Sequence, residues 1–207
     1  MDGVRTDLNR RETMATHPAR RGWSYAEFRQ LPDDGNRYEV IDGDLYVTPA
    51  PRTIHQKVSV RLAGALERHA EEHGLGVVLS APCDVIFGED DYLQPDIVFI
   101  RRERDGIVTD VGVEGAPDLV VEIASPATAV RDRGIKRHQY AAHGVPEYWI
   151  IDTDARAVER YRLIDGELRP VETVTGTLEW QPAPGSAEFA IDVAHLTRPA
   201  TDYSPPR

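Results

Sequence analysis

The sequence predicts an α/β (α+β) domain: a mixed β-sheet core flanked by helices, with additional β-hairpins. Three observations predict it. Two alternating stretches are each interrupted by an Asp-Gly pair, Asp42-Gly43 and Asp165-Gly166, the dipeptide that supplies the positive φ angles of a two-residue hairpin turn. The segment from Ile54 to His73 repeats apolar residues at helical spacing. Short apolar runs at Val77 to Phe87, Pro95 to Ile100, Leu119 to Ala124 and Glu147 to Asp152 read as buried strands.

In chain order, residues 1–22 are polar and Arg-rich without apolar periodicity, and read as a flexible extension. Ser24 caps a short helix in SYAEFRQL, with Glu27 completing a capping box, and Pro32 to Gly35 ends it. The hairpin follows, Tyr38 to Ile41 against Asp44 to Val47, with Glu39 and Ile41 facing one way and Tyr38 and Val40 the other. The long helix places Ile54, Val58, Leu62, Leu66 and Ala70 on one face and stops at Gly74. Its other face, with Lys57, Arg61, Arg68 and His69, reads as solvated. The polar linker RRERDGIVTDVGVEGAP is a surface loop with a little helix. A helix from about Thr128 to His143 follows, with Ser125 and Thr128 as capping residues. The second hairpin and a short element at Phe189 to Leu196 complete a domain spanning 23–198, and 199–207 form a flexible tail.

The totals exclude several functions. The chain has 207 residues, suited to one domain with tails. With 24 basic against 35 acidic residues the net charge is −11, which argues against bulk electrostatic capture of nucleic acid or anionic membrane. The single cysteine, Cys83, permits no internal disulfide and reads as a small apolar residue in a reducing cytoplasm. Of the seven histidines only His69 and His73 stand at an HxxxH spacing, none form HxH, and no cysteine pair accompanies them, so a zinc enzyme is poorly supported. No apolar run approaches the roughly 18 residues of a membrane span. Arg131, Arg133, Lys136, Arg137 and His138 crowd one helix, and Arg52, Lys57 and Arg61 another, so a basic cleft on an acidic body is expected.

Three acidic residues stand inside apolar strands: Glu39, Asp96 in LQPDIVFI, and Glu122 in DLVVEIASP. Any one of them alone reads as a partly exposed edge residue. Together they suggest convergence, because Asp96 and Glu122 on neighbouring strands with the same facing would offer hard oxygen ligands to a divalent cation, Mg²⁺ first and Mn²⁺ as a substitute. The Ile123 backbone carbonyl would be a third ligand. Asp132, Lys136 and Tyr140 are spaced four and four, so they stack on one helix face with an Asp132–Lys136 ion pair. That helix starts directly after the Glu122 strand, so Lys136 can reach the metal site. Carboxylates, a divalent metal and a lysine are equipment for phosphodiester hydrolysis. His55 at the start of the long helix and Asp84 in a strand are lesser candidates, read either as site residues or as a surface histidine and an arginine-paired carboxylate.

The stretches HQKVSVRLAGALE, LQPDIVFI and DLVVEIASPATAVRDRGIKRHQYAAHGVPEYWIID resemble the Uma2 family, of the PD-(D/E)XK restriction-endonuclease-like superfamily, over roughly Tyr25 to Leu196. The resemblance implies a restriction-endonuclease-like fold, a Mg²⁺-dependent endonuclease acting on DNA (with RNA as a further possibility) and a homodimer. By it Asp96 matches the PD aspartate and Glu122 the following acidic position. The chain departs from the short pattern at Ala124, where the lysine normally stands, and Lys136 matches a variant with the lysine moved to the next helix. Glu39 resembles the early acidic residue of such nucleases. The alternative is an inactive nuclease-fold protein that binds nucleic acid or a protein partner.

Overall fold

The computed structural model describes residues 22–88 and 90–202. The expected flexible segments fall mostly outside these, at 1–21 and 203–207. Helix α1 (Tyr25–Phe28) carries the predicted capping box: Ser24 accepts from the Glu27 amide while the Glu27 side chain accepts from the Ser24 amide. Strands β1 (Arg37–Ile41) and β2 (Asp44–Thr48) pair in register across Asp42 and Gly43, both with positive φ. Helix α2 (Thr53–His73) ends at Gly74, whose left-handed φ of 61° closes the last turn.

The expected strand from Val77 to Phe87 is instead two strands in two different sheets, β3 (Gly76–Ser80) and β4 (Val85–Ile86). Pro82 lacks an amide donor, so the ladder cannot run through it and the chain changes sheet there. Cys83 lies in that crossing, half-buried. Strand β5 (Tyr92–Leu93) precedes β6 (Ile97–Arg101). The linker holds a 3₁₀ turn at Arg102–Ile107 and β7 (Val113–Glu114). Then come β8 (Leu119–Ala124), a helical stretch, β9 (Glu147–Asp152), β10 (Ala157–Ile164), β11 (Glu167–Val174), β12 (Thr177–Trp180) and β13 (Phe189–Asp192).

The six-stranded sheet runs β11-β10-β9-β8-β6-β3, with β8 and β9 parallel and its other pairs antiparallel. A parallel pair needs a crossover, and the helical stretch between β8 and β9 supplies it. Alternation divides this sheet between two cores. Ile97, Phe99, Val121, Ile123 and Trp149 pack against Val58, Leu62, Leu66 and Ala70 of α2. Fully burying each such aliphatic side chain contributes roughly 1.5–3 kcal/mol. The opposite face, with Val98, Ile100, Val120, Tyr148 and Ile150, packs against Tyr140 and Ala141 and against Ile41, Val85, Leu93 and Val113 of a second sheet, β2-β1-β5-β4-β7. Glu122 has the parity of Val120, so it points into this second layer.

Arg61 and His69, expected on a solvated face, are covered. The β12–β13 pair and α5 (Val193–Leu196) close over that side of α2. Arg61 donates to the Leu196 and Arg198 carbonyls at 3.0 and 2.8 Å, and His69 sits 3.3 Å from the Ala187 carbonyl.

Candidate active site

The antiparallel register pairs Ile97 with Val121, so one step further places Asp96 opposite Glu122 at the end of β6. The same-face geometry follows from the two-residue strand period. Asp96 Oδ2 accepts the Ile123 amide at 2.7 Å, which fixes its side chain across the gap between the two strands. β1 of the other sheet contributes Arg37 and Glu39, two residues apart and so on one face.

The helical stretch after β8 is not a uniform helix. It consists of α3 (Ala129–Arg131), a π turn (Asp132–Lys136) and α4 (Arg137–Ala142). A π turn carries an extra residue and often marks a functional position. The expected Asp132–Lys136 pair is absent from the ion pairs of the described residues, although both side chains line the same pocket. Lys136 Nζ instead lies 2.6 Å from Glu122 Oε1 and 2.8 Å from Glu39 Oε1. Tyr140 Oη donates to Glu122 Oε1 at 2.7 Å, and the Gln94 amide donates to Glu39 Oε1 at 3.0 Å. Thr128 does not cap the helix through its side chain; its Oγ1 accepts the Ser125 amide.

Arg37, Glu39, His55, Asp96, Glu122, Ile123, Asp132 and Lys136 line one pocket of about 240 Å³, whose mouth is formed by segments 48–52 and 125–128. His55 Nε2 lies 3.0 Å from Asp96 Oδ2, and Arg37 Nη1 lies 2.7 Å from Asp96 Oδ1. Asp84 is elsewhere: it accepts from Tyr25 Oη and Gln94 Nε2 and does not line this pocket, and its partner is no arginine. Sequence reasoning missed Arg37 and Gln94. Arg37 was accessible to it, since a residue two before Glu39 shares its face.

The electrostatics follow from burial. Glu39, Asp96, Glu122, Asp132 and Lys136 are each only 2–3 % exposed. Burial pushes the Glu122 carboxyl up to about 8, against the lowering pull of Lys136 and with Asp132, Asp96 and Glu39 adding to the rise. Burial likewise raises Asp132, against Lys136 and Thr128. Burial would lower Lys136, but Glu122, Glu39 and Asp132 overcome it and hold the ammonium above the usual lysine range. Asp96 goes the other way, to about 2: burial is outweighed by the His55 hydrogen bond, Arg37 and the Ile123 amide. Four buried carboxylates thus face Lys136, Arg37 and His55, and burial, with the neighbouring carboxylates adding to it, favours the protonated form of Glu122.

Those carboxylates, with the hard oxygen character of their donors, fit a divalent cation. No ready-made cage exists: among the described residues no three His, Cys, Asp or Glu side chains are grouped to hold an ion. Lys136 stands between Glu39 and Glu122, and both Asp96 oxygens are engaged. Among the described residues the polar contacts of Glu122 and Glu39 all fall on Oε1, which leaves the Oε2 atoms of both at the pocket.

Of the residues expected to form a basic cleft, Lys136 and Arg52 line the pocket, and four others are engaged elsewhere. Arg133 is spent on Asp152 and Glu159, Arg131 on Thr48 and the Tyr46 ring, Arg61 on backbone carbonyls, and Arg137 lies over Tyr161.

Known proteins share this architecture. A solved structure from Anabaena variabilis, described as a "putative nuclease belonging to DUF820", superposes with a TM-score of 0.60 at 22 % identity, covering 73 % of this chain and 83 % of that one. At that identity the likeness shows the fold. An uncharacterized protein of Synechocystis is 27 % identical over 130 residues, 62 % of this chain and 67 % of that protein. The Uma2 family profile, described as "Putative restriction endonuclease", matches residues 25–194, a span that takes in β1 with Arg37 and Glu39, the Asp96 and Glu122 strands and the π turn alike. The chain belongs to the Uma2 family.

Proposed function

We propose that this protein is a divalent-metal-dependent endonuclease that hydrolyses phosphodiester bonds of DNA. The observation that carries the reading is the meeting of Asp96, Glu122 and Lys136 in one pocket, with the Lys136 ammonium 2.6 Å from Glu122. Glu122, Asp96 and the Ile123 carbonyl would hold Mg²⁺ or Mn²⁺. Bound there, the cation would acidify a water and offset charge on the phosphate.

The chain's own residues divide the remaining work. Lys136, held charged by its carboxylate neighbours, is no base; it orients the attacking water and stabilises negative charge as the phosphorus becomes five-coordinate. Glu39 and Tyr140 hold Lys136 and Glu122 in place. The water gives a proton to solvent as its oxygen bonds to phosphorus, the bond to the 3′-oxygen breaks, and that oxygen leaves with the electron pair and takes a proton from solvent. The reading carries with it a cytoplasmic homodimer, which light scattering and cell fractionation would test.

One observation favours a second role, as a binding module without chemistry. Lys136 and Arg37 already neutralise much of the acidic cluster from within. Plasmid nicking decides between them. Cleavage in Mg²⁺ or Mn²⁺ that chelator stops, and that Glu122→Gln and Lys136→Ala both lose while keeping the native melting profile, supports the enzyme. Equal digestion by wild type and both variants marks contamination and leaves the binding role.

A further inference from the structure

We propose that the substrate is an unpaired strand rather than continuous duplex. The inference rests on the nuclease reading and deepens it. Three features of the pocket carry it.

The first is depth. The Glu39, Glu122 and Lys136 side chains are 2–4 % exposed, at the bottom of a hollow of about 240 Å³. That is smaller than the roughly 300 Å³ at which pockets for small ligands begin. A scissile phosphate must come within bonding distance of these groups. One backbone with its sugar can enter such a hollow, whereas a duplex keeps each phosphate beside a rigid stack of base pairs and a second strand.

The second is the rim. Pro49, Pro51 and Pro126 stiffen the mouth, and among the described lining residues Arg52 is the only exposed basic one. A duplex lying across the mouth would press a charge every 1.7 Å or so of its axis onto a mostly uncharged rim. The arginines on the following helix that would meet it are bound to Asp152, Glu159, Thr48 and aromatic rings.

The third is direction. Arg37 lines both this pocket and a neighbouring hollow of about 270 Å³ bounded by Asn36, Pro82 and Gln94. Pro49, Ala50 and Pro51 also border both, so the two hollows adjoin at Arg37. Arg37 spends only Nη1, on Asp96 and the Gln94 carbonyl. Its Nε and Nη2 donate to no described residue, a free edge suited to a phosphate. No Phe, Tyr or Trp lines either hollow, so the grip is on backbone and tolerant of sequence.

The test compares end-labelled oligonucleotides of one sequence in Mn²⁺: single strand, full duplex, and duplex with a central unpaired bubble. The expected result is cleavage of the single strand and of the bubble at least tenfold faster than of the duplex. Glu122→Gln in chelator supplies a readout without turnover. Its fluorescence anisotropy should show tighter binding to the single strand, with log Kd changing by about two or less per decade of salt, as for two or three phosphate contacts. Duplex cleaved as fast as single strand, or bound as tightly with a steep salt slope, overturns the inference and spares the nuclease reading. No cleavage of any of the three substrates overturns both.

Discussion

Two buried charge networks occupy opposite faces of the six-stranded sheet, and they differ in what is left over. Behind Trp149, Arg160 gives Nε and Nη2 to Glu147 Oε1, at 3.0 and 2.6 Å, and Nη1 to Glu172 and the Glu179 carbonyl. Trp149 Nε1 adds a third donor to the same Glu147 oxygen at 2.8 Å. Every nitrogen of that guanidinium is used. In the pocket Arg37 keeps two nitrogens unused, Glu122 keeps an oxygen, and carboxylates outnumber cations. Burial and ion pairing are common to both networks and so do not mark a site. Unspent hydrogen-bonding capacity and uncompensated charge facing a hollow do.

The comparison can be broken first at Arg160. Arg160→Met leaves the buried Glu147 with only the exposed Arg162, 3.5 Å away, as a cationic partner and should cost about 3 kcal/mol in denaturant unfolding. Specific activity of the folded fraction should be unchanged; a selective loss of activity would make this network part of the site. Next, Lys136→Ala should lower the single-turnover rate roughly 10²–10³-fold, as for loss of a group that stabilises transition-state charge. A fall below tenfold would assign Lys136 to structure, like Arg160.

The pH dependence of stability sharpens the contrast. Asp96 is held at about 2, below its ordinary 3.8, so the unfolded chain takes up the proton first as pH falls. Its contribution is complete above about pH 4 and is lost as the pH drops through about 2, amounting to about 2 kcal/mol. Acid unfolding of Asp96→Asn should lack that component. Glu122 has the opposite sign. Raised to about 8, it keeps a proton in the folded state that the unfolded chain has already released, so its contribution is present below about 4.5 and fades as pH rises through 8. Calorimetric Mn²⁺ titration below pH 8 should therefore show proton release that Glu122→Gln abolishes. The smallest effect is expected from Tyr140→Phe, which removes one hydrogen bond from Glu122 and should cost about 1–2 kcal/mol of stability.

Much of this was legible because the signals are local. The Asp42-Gly43 and Asp165-Gly166 turns, the Ser24 capping box and the Gly74 stop depend on a few adjacent residues, and each element formed where its signal stood. Asp96, Glu122 and Lys136 were accessible as anomalies, charges standing in or beside runs meant for a core. The failures involve context beyond the window. Val77 to Phe87 reads as one strand until Pro82 is weighed as a missing donor. The two-residue strands β4, β5 and β7 have no periodicity to read. Arg61 looks solvated until α5 and the residues after it offer their carbonyls, and Asp84 looks like a site residue until Tyr25 and Gln94 claim it. The ion pair expected between Asp132 and Lys136 gave way to Glu39 and Glu122, which strands distant in sequence bring to the ammonium.

The π turn at Asp132–Lys136 also bears on how relatives of this chain are compared. One extra residue in a turn shifts the face of everything after it, so the position of the lysine depends on residue count as well as residue type. A relative whose crossover helix is regular would need its lysine one position nearer the strand glutamate to reach the same place. Column-by-column comparison would then score as a substitution what is in three dimensions the same ammonium.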